Sequence, residues 1–228
     1  MQKNMEAKTL AYKGGRSDVL DSLLRAPVRV LDVGCSDGSL GAGCLERYPE
    51  SRVIGVEQDL DFAAMARDKL QQVIVGDIEK ITNDELPEHI DTFFLADVLE
   101  HTRSPDIVLQ KLLTCAVPGA QFVISLPNVQ HWTAIANLLR GEWPERERGL
   151  FDSTHLRFFT LRSIRHLLCR NCLEIRSVRR NYRLFDSPDY ALPQVAQLGG
   201  FWPLRPFFTY QYVVAAEVMP MSQAYRNL

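Results

Sequence analysis

The stretch that most limits what this chain can become is Val28-Arg-Val-Leu-Asp-Val-Gly-Cys-Ser-Asp-Gly38. Residues 28–32 carry Val28, Val30 and Leu31, which read as a buried strand, and Gly34 and Gly38 follow at once. Glycine takes backbone angles closed to other residues and lets a ligand come up against the main chain. Residues 39–48 can then start a helix whose first N–H groups face the same space. The pattern outlines a nucleotide pocket, and its spacing selects among nucleotides. A dinucleotide fingerprint counted from Gly34 needs glycine at 36 and 39, where this chain has Ser36 and Ser39. A nicotinamide-dependent oxidoreductase is thereby disfavoured. Asp32, just before the turn, would repel a pyrophosphate and attract a cationic amine.

The string Asp32-Val-Gly-Cys-Ser-Asp-Gly38 resembles the first motif of the class I S-adenosylmethionine (SAM) methyltransferases, which usually have glycine where Ser36 stands. The resemblance implies SAM as cofactor, with Asp32, Gly34, Cys35, Ser36 and Gly38 forming the loop that holds it. Residues 51–57 read as a second strand ending on Glu57. In a parallel α/β sheet such a strand end faces the ligand crevice, where a carboxylate can accept two hydrogen bonds from ribose hydroxyls. Gln58 is expected beside it, and Asp59 is the better helix cap for residues 60–70. Residues 72–77 form a third short strand closing on Asp77, which could also simply cap a turn. The resemblance places Asp77 near the adenine amino group and Ile78 against the ring. Residues 90–101 give a fourth strand and its loop, where Ala96-Asp-Val-Leu-Glu-His101 matches the family's fourth motif. Ala96, Asp97, Val98 and His101 are therefore expected near the sulfonium end of SAM.

Strands alternating with helices predict a mostly parallel sheet covered on both faces. The resemblance implies a Rossmann-like α/β fold of seven strands in the order 3-2-1-4-5-7-6 with the last strand antiparallel. A fifth strand is expected over 121–127, a sixth over 173–183 and a seventh over 210–217. Helices are expected over 17–25, ahead of Pro27, from Ser104-Pro105 onward, over 128–140 and from Thr160 to about Asn171. With 228 residues, 46% of them hydrophobic, the chain suffices for one domain. Residues 1–27 would form a lid from which Tyr12 and Arg16 could touch the cofactor, and 184–208 a cap over the substrate mouth.

No apolar run approaches the ~18 residues of a membrane span, and the N-terminus lacks the apolar core of a signal peptide, so a cytoplasmic enzyme is expected. Cys35, Cys44 and Cys115 read as reduced core residues. Cys169-Arg-Asn-Cys172 has only His166 nearby, so no metal centre is expected there or elsewhere. The net charge of −2 hides an asymmetry: residues 140–183 carry eleven arginines, no lysine and five acids. An arginine-only region suits carboxylate or phosphate recognition, although a solvated helix face is the plain alternative. Nucleic acid would require a broader basic footprint.

The segment Gly149-Leu-Phe-Asp-Ser-Thr-His-Leu-Arg-Phe-Phe-Thr160 resembles one found in methyltransferases of glycan and cell-envelope biosynthesis. That resemblance, not composition, suggests a small-molecule or glycan-type acceptor, and the arginines suggest an anionic group on it. His155 is the candidate general base, since a neutral imidazole can take a proton from an alcohol. Asn128, Arg146, Arg148 and Arg157 are the candidate substrate contacts, and Trp132, Trp143, Phe151, Phe158 and Phe159 a candidate apolar wall. A homodimer is compatible with all of this. The competing reading is a SAM-binding accessory protein without catalysis, docked on a biosynthetic partner, because fold does not fix function.

Overall fold

Five strands run parallel: β1 (Arg29–Val33), β2 (Arg52–Glu57), β3 (Gln72–Val75), β4 (Ile90–Ala96) and β5 (Ala116–Pro127). The hairpin partners β6 (Leu173–Tyr182) and β7 (Thr209–Val218) follow, with β7 antiparallel to both β5 and β6. The sheet order is 3-2-1-4-5-7-6, as the resemblance implied. The computed structural model describes residues 16–186 and 204–219. Tyr12, most of the expected lid and residues 187–203 of the expected cap lie outside them.

Alternation along β1 sends its side chains to two cores. Val30 joins Val53, Phe94, Val123 and Val213 on one face, under Val19 and Leu20 of α1 (Ser17–Leu20), Leu40 and Cys44 of α2 (Ser39–Arg47) and Ala66 of α3 (Leu60–Arg67). Leu31 and Val33 join Ile54, Phe93, Leu95, Phe122 and Ile124 on the other. There they meet Val108, Leu109 and Leu112 of α4 (Pro105–Thr114) and Ile164, Leu167 and Leu168 of α6 (Leu161–Arg170). The spacing of each triplet places it on one face of its helix. Between α4 and α6 lies α5 (Trp132–Leu139), and α7 (Arg205–Phe208) leads into β7.

The caps follow local chemistry. Asp59 accepts hydrogen bonds from the N–H groups of Asp61 (2.9 Å) and Phe62 (3.2 Å) at the start of α3. Thr160 and Ser163 cap α6 reciprocally. Ser104 stands before α4 with Pro105 at the first position, but its side chain makes no cap hydrogen bond and its N–H donates to Glu79 instead (3.0 Å).

Several boundaries differ from expectation: the helix expected over 60–70 ends at Arg67, the third strand ends at Val75 and the helix expected over 128–140 starts at Trp132, and two further differences have a visible cause. The helix expected over 17–25 stops at Leu20. Beyond it the N–H of Leu24 donates to the buried Gln121 Oε1 (2.9 Å), and Gln121 Nε2 donates to the Arg25 carbonyl (3.1 Å), so a distant side chain takes over these backbone groups. The fifth strand starts at Ala116, not at 121. Its register against β4 jumps between Ile90↔Ala116 and Thr92↔Gln121, and the extra residues are absorbed by a bulge that includes Gly119 at φ +74°.

Candidate functional site

β1 pairs with β2 on one side and β4 on the other, so the strand order changes sense at β1, and in open α/β sheets the ligand crevice lies outside the strand ends at that point. The residues following β1, β2 and β4 gather there. In the loop after β1, Gly34 and Gly38 have φ of +66° and +78°. A Cβ on Gly34 would stand 2.8 Å from Val98 Cγ2, so glycine is required for the β1 and β4 loops to meet. Ser36 also takes a left-handed conformation, at φ +50°. The N–H groups of Gly34 and Cys35 donate to the Val56 carbonyl (2.8 and 3.0 Å).

Glu57 fastens this loop. One carboxylate oxygen accepts the Ser36 N–H (2.8 Å) and the other the Asp59 N–H (2.9 Å). Each oxygen keeps a second lone pair, so the ribose role expected of Glu57 is joined by a main-chain one that the sequence did not suggest.

Asp32 lies under the loop, 1% exposed, with Oδ2 buried and without a hydrogen-bond partner. Burial, reinforced by Glu57 and Asp37, pushes its pKa up to about 7, against a backbone hydrogen bond at Gly41 that lowers it. The neighbouring Asp37 is occupied by Ser39 and by Lys69 Nζ (2.8 Å). Cys35 is buried with its thiol against Gly55 and its pKa raised by that burial.

The loop after β4 is held by a polar network. Asp97, at φ +57°, accepts from Ser125 Oγ (2.8 Å) and Gln211 Nε2 (2.6 Å) at one oxygen and from Arg16 (2.7 Å) at the other. Arg16 also binds Asp18 (3.0 Å), and Asn181 joins Asp18 to Gln211. Burial opposes the charge on Arg16, but Asp97 and Asp18 outweigh it and its pKa is raised. Arg16 is thus joined to the loop after β4 through Asp97.

Beyond Asp97 the 3-10 turn Leu99–His101 carries Glu100 and His101. The Glu100 carbonyl accepts the N–H groups of Leu156 (2.8 Å) and Arg157 (3.0 Å), which docks the 153–157 loop on this turn. His155 thereby comes edge-on to His101, ring centroids 4.8 Å apart. His101 Nδ1 is hydrogen-bonded to Thr154 Oγ1 (3.0 Å), whereas His155 Nδ1 is buried without a partner. Burial, then His101, lowers the His155 pKa, so the ring is neutral near pH 7. Glu100 is fully buried with both carboxylate oxygens unpartnered, and burial, then Asp97, raises its pKa well above the usual carboxylate range.

The other expected site residues divide. Ala96 and Val98 flank Asp97 and are partly exposed, and Gln58 is exposed beside Glu57. Asp77 accepts the Glu79 N–H (3.0 Å) and pairs with Lys80 (3.1 Å), the turn-capping alternative, while Ile78 packs in the core. Asn128 is fully buried: its amide donates to the Pro206 and Thr209 carbonyls (both 2.8 Å) and its oxygen accepts the Gln130 N–H (3.1 Å). Those bonds tie the β5 end to β7, and Asn128 is a positioning residue here. Arg146 pairs with Asp186 (3.2 Å) and lies over the Phe151 ring, and Arg157 holds the Arg103 carbonyl (Nε 3.0 Å). Arg148 stands in the same exposed loop. Of the apolar wall, Trp143 meets Phe151 and Phe158 edge-on at 5.1 and 5.2 Å, Trp132 turns to Phe185, and Phe159 belongs to the core. Cys169 and Cys172 are free, exposed thiols. Sequence reasoning gave no role to Gln211, and none to Glu100 beyond its place in the 96–101 motif, because their surroundings come from contacts across long stretches of chain. Among the described residues no helix is long and apolar enough to cross a membrane.

Known proteins resemble this chain in sequence and in fold. Trans-aconitate 2-methyltransferase of Acidovorax sp. (strain JS42) is 28% identical over 105 residues, 45% of this chain and 40% of that protein, so the chain matches less than half the length of this relative. A SAM-dependent methyltransferase from Archaeoglobus fulgidus has the same fold at TM-score 0.57 and 17% identity, covering 95% of this chain and 94% of that one. So does the [4+2]-cyclase SpnF, at TM-score 0.60 and 16% identity, covering 89% and 80%. Taken with the sheet order and the loop after β1, the chain has the class I SAM-dependent methyltransferase fold, and it belongs to the family described as methionine biosynthesis protein MetW, whose model matches residues 16–188.

Proposed function

We propose that this protein is a SAM-dependent methyltransferase acting on a small-molecule or glycan-type acceptor. The observation that carries the reading is the buried, unpartnered Asp32 Oδ2 beneath a glycine-hinged loop at the point where the sheet order reverses. A carboxylate that keeps one oxygen, Oδ2, without an internal partner favours a ligand that brings positive charge, and the ammonium and sulfonium of SAM do so. The arrangement is compatible with that cofactor: Asp32 and the 34–38 loop would hold its amino-acid end, Glu57 with Gln58 its ribose, and Ala96, Asp97 and Val98 its sulfonium end, while the adenine would lie by the turn that Asp77 caps.

When bound, SAM supplies an electrophilic methyl group. What the chain contributes is positioning, worth ~7–11 kcal/mol in favourable cases. Glu57 fixes the loop after β1, and Arg16, Ser125 and Gln211 fix Asp97. His101 and the neutral His155 stand on the acceptor side, and Arg146, Arg148 and Arg157 form the basic rim through which an anionic acceptor would enter. A cytoplasmic location accords with this chemistry. Incubation with methyl-labelled SAM and a panel of hydroxy acids, sugars and nucleotide sugars tests the reading. Label transfer to one acceptor class, reduced at least tenfold in His155→Ala, is expected, and transfer to none would remove it.

A second reading, a SAM-binding accessory protein, is favoured by one observation: Leu138, Leu139, Leu156 and Phe158 are about half exposed or more. Selective cofactor binding together with a stable partner and no transfer would favour it.

A further inference from the structure

Glu100 has no use for its carboxylate inside the fold. It is fully buried, neither oxygen has a geometric hydrogen-bond partner, and its own carbonyl is taken by the Leu156 and Arg157 N–H groups. A buried carboxyl left in this way points to a group not yet in place. Two imidazoles stand beside it, and one of them, His155, has a buried ring nitrogen that is equally unpartnered. One ligand atom from each of Glu100, His101 and His155 lies within 4.8 Å of the others.

We propose that Glu100, His101 and His155 form a divalent transition-metal site, with coordination positions left open toward the acceptor. Two donors bound at about 2.1 Å with a tetrahedral angle between them stand about 3.4 Å apart, so modest side-chain rotation closes the present spread. Two imidazoles and one carboxylate suit Zn²⁺, Fe²⁺, Co²⁺ or Mn²⁺, and three protein ligands leave room for exogenous oxygen donors. The hydrogen bond between Thr154 and His101 Nδ1 directs Nε2 of that ring to the metal, as outer-shell partners of ligating histidines commonly do. The exposed thiols Cys169 and Cys172 lie on and just beyond α6, in a different element, and take no part.

The inference rests on the proposed methyltransferase reading for what the open positions would hold: an acceptor bearing hydroxyl or carboxylate oxygens. It also specifies how His155 acts there, as a metal ligand and not as a free base. The site itself can be tested without turnover. The full chain, freed of metal with EDTA and dialysed, is titrated with Co²⁺ while visible absorption is followed. The expected result is a d–d spectrum saturating at one equivalent, weakened at least tenfold in Glu100→Gln and in His155→Gln, and unchanged in the Cys169→Ser/Cys172→Ser double variant. His155→Gln keeps the test decisive if Glu100→Gln fails to fold. Absence of a cobalt spectrum in the unsubstituted protein, equal binding by His155→Gln, or loss of binding in the cysteine variant would each overturn the proposal. Calorimetry with S-adenosylhomocysteine in EDTA separates the two readings. Binding of that ligand without cobalt binding would sink the metal site alone, and the reverse would sink the cofactor assignment alone.

Discussion

The Ser36 main-chain N–H donates to Glu57 Oε2 at 2.8 Å, so the acid at the end of β2 holds the loop after β1 in shape. Glu57→Gln replaces one accepting oxygen with an amide that faces an N–H group. A lost charge-assisted hydrogen bond of this kind costs about 1.5–3 kcal/mol. The variant should bind S-adenosylhomocysteine at least tenfold more weakly by calorimetry while its fold, read by circular dichroism, is retained. Unchanged affinity would show that the loop does not depend on Glu57.

Ser36 sits at φ +50°, where a residue with a Cβ is strained by ~1–2 kcal/mol. Glycine relieves that strain but costs ~0.5–1 kcal/mol in unfolded-chain entropy. Ser36→Gly is therefore expected to be neutral to about 1 kcal/mol stabilising in urea denaturation, with cofactor affinity kept. A loss beyond 1 kcal/mol would mean that the serine side chain has a role the geometry does not reveal. Gly34→Ala should do the opposite, by at least ~1–3 kcal/mol, because its Cβ would meet Val98 Cγ2 at 2.8 Å on a left-handed backbone.

Much of this was legible in the sequence because it is local. The strand, the two glycines and the acid at 32 sit within eleven residues, the strand end at Glu57 follows from strand periodicity, and Asp97, just past β4, was in view through the resemblance of 96–101 to a family motif. What was not legible is made by juxtaposition. Gln211 reaches Asp97 across 114 positions, and Gln121 ends the first helix from 97 positions away. Glu100 and His101 were in view as part of a motif, but only the docking of Leu156 and Arg157 on the Glu100 carbonyl brings His155 to them. The expectation of no metal centre was argued from Cys169 and Cys172, where spacing is readable, and such spacing does not show that Glu100, His101 and His155 come together from two loops.

Asp32 makes stability depend on pH in a stated direction. Its pKa is raised by burial from 3.8 to about 7 in the folded chain, so the folded state binds the extra proton between those values. The contribution is complete below pH 4 and lost as pH rises through 7, up to about 4 kcal/mol at ~1.4 kcal/mol per unit. Asp32→Asn removes this dependence. Its melting temperature should exceed that of the unsubstituted protein at pH 8 and approach it at pH 4.5, and parallel curves for the two proteins would contradict the assignment.

Arg16 and Asp97 are joined at 2.7 Å with side chains 19% and 28% exposed. Removing one partner of a partly buried pair leaves the other charge unpaired, and Arg16→Met should destabilise by about 1–3 kcal/mol. The double-mutant cycle with Asp97→Asn checks the pairing. A coupling energy near zero would mean that Arg16 acts through Asp18 alone.

The central claim, that the loop of residues 34–38 is built for the SAM skeleton, is tested most directly by calorimetric titration of S-adenosylhomocysteine, with NAD as the comparison ligand. The account predicts saturable binding of S-adenosylhomocysteine and none of NAD. Binding of NAD in preference, or of neither ligand, would contradict it.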